Sequence, residues 1–207
     1  MTSMLVALLT APALLATQEA ITQGQKKDRR EEHRARRCNL IVSCVDPSPE
    51  SLEIDHRQVA LKNSKLYVKT DPRDASLHPF AGYYLPYPDR HEGLVTTITD
   101  VAPILNWIYV DKDTYEVKFG IKVDAHPNIT GPFNCTRQDK RLTLEDWEGF
   151  VAVKQEEGED AGMWKLYWDK DDDGLRGKLG KGRTILEIEL VRWEKRVRKG
   201  KPLGDMR

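Results

Sequence analysis

The segment Asp169-Lys-Asp171-Asp-Asp173-Gly174 comes closest, in residue type and spacing, to a known chemistry. Three aspartates at alternate positions followed by glycine match the first half of a calcium-binding loop, in which carboxylate oxygens converge on the cation. The second half does not match, because Gly180 stands where the bidentate acid belongs. We therefore expect a turn between two strands with Asp173 and Gly174 at its tip. Weak binding of a divalent cation through Asp169, Asp171 and Asp173 is the alternative, and no other cofactor is expected.

An aromatic stretch is the second candidate site. Residues 80–88 read Phe-Ala-Gly-Tyr-Tyr-Leu-Pro-Tyr-Pro and place three tyrosines among prolines. Aromatic rings in such a setting can line a groove for a ligand or a peptide. Tyr83, Tyr84 and Tyr87 are accordingly candidate ligand-groove residues. The competing interpretation, which the sequence favours, is that these rings cover an open end of the sheet core.

Two further residue types bear on chemistry and on compartment. Asn-x-Thr motifs begin at Asn128 and Asn134, so both asparagines would accept sugar if the chain entered the secretory route. The three cysteines, Cys38, Cys44 and Cys135, show no metal-ligand spacing. We expect reduced, packed thiols, although a bridge from Cys135 to either of the others stays open for a secreted protein.

Signatures of catalysis are missing from the sequence. The five histidines are scattered, and there is no nucleophile elbow, phosphate loop or dinucleotide fingerprint. We predict no catalytic residue. A dyad assembled from distant positions stays open, because such dyads are spatial and not sequential.

The amino-terminal segment leaves the compartment undecided. Residues 4–16 are apolar, which is too short for a membrane-spanning helix and suits a signal-peptide core. No basic residue precedes them, however, and Leu14 interrupts the small-residue pattern expected before a cleavage site. A helix running on through the charged residues to position 36 is the rival reading. We expect a cytoplasmic protein, with secretion and peripheral membrane contact through residues 1–37 as alternatives.

The overall charge of zero hides an uneven distribution. Residues 1–37 and 191–207 each contain seven basic side chains, whereas residues 38–190 contain 19 basic and 27 acidic ones, a net charge of −8. We interpret the ends as solvated extensions that can fold back on the acidic body. The basic residues are mixed with acids, so we do not expect nucleic acid as a partner.

The elements that must position these residues are strands. In 115–123 the apolar residues Tyr115, Val117, Phe119, Ile121 and Val123 alternate with polar ones and follow the polar turn 111–114, which predicts a β-hairpin over 104–123. Similar patterns predict strands at 38–45, 59–61, 66–68, 94–98, 150–153, 164–168 and 185–191. Residues 71–89 are expected to form an edge segment or loop, 126–141 a polar connection, and 142–147 a helical turn capped by Thr143.

This pattern is typical of a mainly β protein. We predict an antiparallel barrel or sandwich of about eight strands with an amino-terminal helix, a minor α component, and no fixed-period sequence repeat. Residues 1–37 would form an apolar-then-basic helical extension, 38–193 a single β-rich domain, and 194–207 a basic tail.

Several segments carry a resemblance to other proteins. They include 32–36 leading into 38–44, the aromatic stretch 80–86, the hairpin residues 104–118, and the shorter segments 131–133, 141–144, 147–151 and 171–175. Together they resemble an uncharacterised family of small proteins from filamentous ascomycete fungi. The resemblance implies a single fungal domain of this size and assigns no activity, cofactor or site residue.

Regular strands, interspersed aromatics and missing catalytic motifs favour a non-enzymatic β-rich binding or interaction protein. Its partner would be a protein or a small hydrophobic ligand. Two alternatives stay open. The first is a small enzyme or accessory protein that acts on a hydrophobic metabolite inside the barrel, in fungal secondary metabolism. The second is a secreted, effector-like protein.

Overall fold

The computed structural model describes residues 22–25, 32, 34–88, 91–98, 105–180 and 182–194. The chain divides into two units, with the boundary between Arg36 and Arg37. In the first unit, residues 22–25 are helical, and the Arg36 guanidinium donates to the Glu32 carboxylate at 2.6 Å. The apolar segment 4–16 and the basic tail from 195 onward lie outside the described residues. The helices in the described ranges are all too short or too polar to cross a membrane.

Within its described residues, the second unit contains thirteen strands and two short helices. The helices are α1 (Ser51–Ile54) and α2 (Lys122–Ala125). The strands are β1 (Cys38–Cys44), β2 (Gln58–Lys62), β3 (Lys65–Lys69), β4 (His78–Pro79), β5 (Gly82–Pro86), β6 (Glu92–Thr97), β7 (Leu105–Val110), β8 (Val117–Gly120), β9 (Phe133–Cys135), β10 (Leu142–Leu144), β11 (Phe150–Lys154), β12 (Trp164–Trp168) and β13 (Ile185–Glu194).

Twelve of these strands form three groups of four with the same internal arrangement. The groups are β1-β2-β3-β5, β6-β7-β8-β9 and β10-β11-β12-β13. In each group the second and third strands pair as an antiparallel hairpin. The first and fourth strands of all groups make a ring: β1 pairs with β5, β5 with β6, β9 with β10, and β13 with β1. Contacts of β6 with β9 and of β10 with β13 complete it.

The three hairpins meet each other over one end of this ring. β3 pairs with both β12 and β8, and a bridge between Glu116 and Tyr167 joins the remaining two hairpins. Each hairpin is also attached to a ring strand, through the pairings of β2 with β1, β7 with β6, and β11 with β13. The result is a barrel closed at one end by a three-hairpin cap.

Period-two alternation fills the barrel with apolar side chains. Leu40 and Val42 of β1 and Ile188 and Leu190 of β13 are buried, while the residues between them are more exposed. The other ring strands contribute to the same cluster through Tyr84, Leu94, Phe133, Leu142 and Leu144. The cap adds Trp164 and Trp168, both fully buried. Removal of this apolar surface from water is the main force that stabilises the fold.

The predicted hairpin over 104–123 is confirmed in its pairing and corrected at its end. β7 and β8 pair from Val110 opposite Val117 to Trp107 opposite Gly120. β8 ends at Gly120, however, and α2 follows. Ile121 and Val123 are therefore exposed, at 48% and 76%, and do not continue the buried side of the pleat. In the turn, the Asp111 carboxylate accepts the backbone N–H groups of Asp113 and Thr114, both at 3.0 Å.

Three other elements differ from the prediction. Residues 142–144 form strand β10 and not a helical turn, and Thr143 is buried opposite Asn134 in β9. The polar connection 126–141 includes β9, and the stretch 71–89 includes β5 as a full member of the ring. The strands β4, β9 and β10 have only two or three residues each, too few to show a period-two pattern in the sequence. β5 lies in a stretch rich in proline and other turn formers, which predicted an edge segment or loop, so about eight strands were expected instead of thirteen.

The junction of the three hairpins is polar and centred on Glu116. Its carboxylate accepts the Tyr167 hydroxyl at 3.1 Å and the Lys165 ammonium at 3.4 Å, and the Lys118 ammonium lies 3.4 Å away. Burial acts to raise the pKa of Glu116, but the ammonium groups of Lys165, Lys65 and Lys118 outweigh it, so the pKa lies below its ordinary value. Burial lowers the pKa of Lys165, so its charged form depends on this carboxylate.

We expect Glu116→Gln to lower the free energy of unfolding at neutral pH by about 3–5 kcal/mol, because it leaves the buried Lys165 ammonium without its counter-ion. The folded-state pKa of Glu116 is depressed, so its contribution is present above the unfolded-state pKa and is lost as pH falls through the folded-state value. The difference between variant and parent in urea unfolding should therefore shrink in acid. Glu157→Gln, on an exposed loop, makes the same charge change as a control. Equal stabilities at neutral pH would contradict the prediction.

Candidate functional site

A surface pocket of about 170 Å³ lies between the start of β11, the middle of β13 and the loop that follows β12. We call it the Trp147 pocket. Its apolar lining comes from Val45, Phe150, Val151 and Ile188, beside the indole of Trp147. Its acidic lining consists of Glu148, Asp169, Asp172, Glu187 and Glu189.

Strand geometry explains how these residues meet. Phe150 of β11 lies opposite Ile188 of β13 in the antiparallel register, and both point into the core. The neighbours of Ile188 along the strand, Glu187 and Glu189, therefore point to the outer side. Residues 147–149 immediately precede β11, and Asp169 immediately follows β12, which pairs with β11 from Phe150 opposite Trp168.

The Trp147 side chain is fixed in place although it is 42% exposed. Its indole N–H donates to the Asp169 carbonyl at 3.0 Å, and its backbone exchanges hydrogen bonds with Leu144, each at 2.9 Å. Gly149 lies directly against the ring, where a Cβ would collide with the indole nitrogen and with the Asp169 carbonyl. The pocket therefore presents a preformed aromatic wall.

The carboxylates of the pocket differ in how they are paired. The Arg141 guanidinium donates to Glu189 at 2.7 Å and forms an ion pair with Glu148 at 3.1 Å. The Asp169 carboxylate accepts the backbone N–H groups of Asp173 and Gly174 in the same loop, at 3.3 and 2.7 Å. Asp172 and Glu187 are exposed, and in the described ranges no basic side chain lies within ion-pair distance of either.

The three aspartates of the predicted calcium loop take separate partners. Asp169 caps its own loop, the Asp173 carboxylate accepts the Arg176 N–H at 3.2 Å, and Asp171 accepts the Tyr115 hydroxyl at 2.9 Å. Gly174 has a φ of 69°, as a tight turn at this position requires. Among the residues that the structure describes, no three acidic, histidine or cysteine side chains converge on a metal position. Weak binding of a divalent cation stays the alternative to a simple turn.

Calorimetric titration with calcium tests this segment. We expect no saturable heat and no change in melting temperature, because the three carboxylates already serve other donors and the loop lacks the acid that completes a calcium site. Chelator-treated protein is the starting material, and Asp171→Asn is the variant for comparison. A saturable heat in the parent that Asp171→Asn removes would establish a cation site.

The structure places two of the three candidate tyrosines inside the protein. Tyr84 and Tyr87 are only 4% and 1% exposed. The Tyr84 hydroxyl donates to the Asn134 carbonyl at 2.9 Å, and the Tyr87 ring packs edge-on against Trp107 with 4.7 Å between centroids. Tyr83 is half-buried. These positions favour packing over an open groove, and a ligand role for the three tyrosines stays a prediction.

We expect Tyr84→Ala and Tyr87→Ala each to lower the free energy of unfolding by about 3–5 kcal/mol, the cost of emptying a buried aromatic site. Urea unfolding measures the loss. Tyr83→Ala is the matched control and should cost clearly less, since its ring is partly solvated already. If Tyr87→Ala left stability nearly unchanged, the ring would not be part of the core.

Comparison with protein families matches residues 16–196 to the fungal beta-trefoil domain. The match spans most of the 207 residues. The chain belongs to this family. No curated protein and no solved structure matches it. This match confirms the predicted fungal protein family and the mainly β, barrel-like fold, and the three groups of four strands are the three units of the trefoil.

The two glycosylation candidates lie in the second of the three trefoil units, Asn128 before β9 and Asn134 within it. The Asn128 amide donates to the Asp124 carbonyl at 2.9 Å, and Asn134 is the middle residue of β9. Glycosylation of either stays a prediction, as does the cytoplasmic location. The three thiols are not bridged to each other. Cys38 and Cys135 both lie beside the buried Arg192 guanidinium, at 3.3 and 3.7 Å, and burial raises the pKa of Cys38.

Sequence reasoning identified Asp169 as a candidate but missed the pocket that contains it. The alternation of Glu187 and Glu189 with apolar neighbours in the last strand is visible in the sequence and does predict an acidic outer face. Nothing in the sequence shows that Trp147, which precedes a different strand, lies beside that face. Only the pairing of β11 with β13 brings them together.

Proposed function

We propose that this trefoil protein is a non-enzymatic binding protein and that its ligand occupies the Trp147 pocket. The observation that carries the proposal is a half-exposed indole held in a fixed position on the wall of a preformed cavity. Large aromatic side chains on a soluble surface are frequent at binding sites, because a rigid ring contributes contact area at a low cost in conformational entropy.

The filled barrel supports a surface site over an internal one. Leu40, Val42, Leu94 and Leu190 are each at most 1% exposed and occupy the barrel interior together with Phe133. An enzyme acting on a hydrophobic metabolite inside the barrel would need the space that these side chains take. Sites for drug-sized ligands enclose about 300–1,000 Å³, so a pocket of about 170 Å³ suits a single small head group.

The chemistry of the lining also supports binding over catalysis. The residues that line the pocket include no histidine, serine, cysteine or lysine, so a hydroxyl, thiol or amine nucleophile beside a histidine base is not present there. The carboxylates of Glu148 and Glu189 are both engaged by Arg141, and that of Asp169 by its own loop. Such engaged groups suit a rigid recognition site.

Three probes of nearly the same shape test the proposal: choline, its neutral isostere 3,3-dimethyl-1-butanol, and the anion 3,3-dimethylbutanoate. The probes are titrated into ¹⁵N-labelled full-length protein. We expect at least one of them to shift the backbone amide resonances of Gly149, Val151 and Ile188 in a saturable manner. The pocket is preformed, so resonances from the β2–β3 and β7–β8 hairpins, which contribute no residue to it, should stay in place.

Two variants make the test specific. Trp147→Ala removes the aromatic wall, and Gly149→Ala displaces the indole from its position, so both should abolish the shifts. Trp193→Ala removes an indole that is 64% exposed and lies outside the pocket, and it should leave binding unchanged. Melting temperatures identify any variant that fails to fold. If no probe shifts the pocket resonances in the parent protein, the proposed function is wrong.

A further inference from the structure

We infer that the Trp147 pocket recognises an organic cation, with an ammonium or guanidinium head group against the indole and the carboxylates. This inference rests on the proposed function and specifies the ligand class for the same site. It combines the charge of the lining, the position of the aromatic ring, and the way in which the chain accommodates its own ammonium groups elsewhere.

The charge of the lining is entirely negative. Five carboxylates line the pocket and no basic residue does. The single positive charge of Arg141 offsets only part of this charge, because its guanidinium pairs with Glu148 and Glu189 and not with the other three carboxylates of the lining. Asp172 and Glu187 retain exposed carboxylates that meet no basic side chain in the described ranges. An anionic ligand would be repelled, whereas a cation would gain electrostatic energy from both groups.

The aromatic wall adds a second attraction for a cation. A tryptophan face attracts an ammonium or guanidinium within about 6 Å of its centroid, more strongly than tyrosine or phenylalanine. The Trp147 indole N–H is already occupied by the Asp169 carbonyl. What the ring offers to a ligand is therefore its π surface and not a hydrogen bond.

The same chain twice binds its own lysines in this manner. The Lys154 ammonium lies 5.3 Å from the centroid of Trp164 and 3.0 Å from the Glu53 carboxylate. The Lys170 ammonium lies 5.9 Å from the centroid of Trp168 and 3.4 Å from the carboxylate of Glu145. In both cases tryptophan and carboxylate together hold a cation. The Trp147 pocket has tryptophan and carboxylates at one cavity but no lysine or arginine in its lining.

The decisive comparison is choline against 3,3-dimethyl-1-butanol, which differ in charge but hardly in shape. We expect choline to shift the Gly149, Val151 and Ile188 resonances with at least about tenfold higher affinity. Added salt should weaken the binding of choline and leave the binding of the alcohol unchanged, because only the interaction of the charged probe is screened. Equal affinities, or binding of the alcohol without choline, would overturn this inference while leaving the proposed function intact.

Neutral isosteres test the carboxylates directly. The double variant with Asp172→Asn and Glu187→Gln should bind choline about tenfold more weakly, because two exposed charges are lost at the site. Glu157→Gln with Glu159→Gln makes the same change in net charge on an exposed loop outside the pocket and should bind like the parent. Equal losses of choline affinity in the two double variants would overturn the inference. The net charge of the whole protein, and not the carboxylates at the pocket, would then account for the binding. If none of the probes shifts the pocket resonances, both the proposed function and this inference are overturned.

The cationic head group can come from a small free cation or from a basic side chain of a protein, and a further pair of probes separates these two sources. Blocked single residues, Nα-acetyl-lysine methylamide and Nα-acetyl-arginine methylamide, present the same head groups on a peptide backbone. Tighter binding of a blocked residue than of choline would indicate a peptide partner. Tighter binding of choline than of either blocked residue would indicate a small free cation. Either result supports recognition of a cation.

Discussion

The antiparallel pairing of β1 with β13 is the interaction on which the rest of the trefoil depends. Seven successive residues of β1, from Cys38 to Cys44, pair with seven residues of β13. These strands lie about 150 positions apart in the chain, so the pairing carries a large loop-closure cost that only buried apolar surface can offset. Once formed, it closes the ring, leaves neither strand with an open edge, and fixes which face of β13 points outward.

Closure of the ring also fixes the cap above it. Each hairpin is attached to a ring strand, so the three hairpins meet at a position that the barrel determines. Their junction contains the Glu116 carboxylate among lysines and tyrosines instead of an apolar plug. Buried charge clusters often contribute less to stability than well-packed apolar residues of similar volume. Our hypothesis is that this cluster instead favours one arrangement of the three hairpins over the alternatives.

The Trp147 pocket shows how a rigid β scaffold can support a site made from its connections. Two of its acidic side chains, Glu187 and Glu189, lie on a paired strand, and its indole lies on a short turn that two backbone hydrogen bonds and Gly149 hold in place. Residues positioned in this manner lose little entropy when a ligand binds. The acidic body of residues 38–190 adds a long-range field of the same sign as the pocket.

Period-two alternation in the sequence was enough to predict the β7–β8 hairpin, the hairpin β2–β3, and the long strands β1, β11, β12 and β13. It also indicated which residues of β13 are buried, because the side-chain period of a strand is a local property. The short strands β9 and β10 pair with each other nearby in the chain, but strands of three residues are too short to show a period-two pattern, and the ring role of β5 depended on its pairing with β1, much earlier in the chain. Three residues do not specify a strand until neighbouring strands supply their hydrogen bonds. For the same reason, the tertiary structure alone decided that Trp147, Asp169 and Glu187 share one pocket and that Tyr84 and Tyr87 lie in the core.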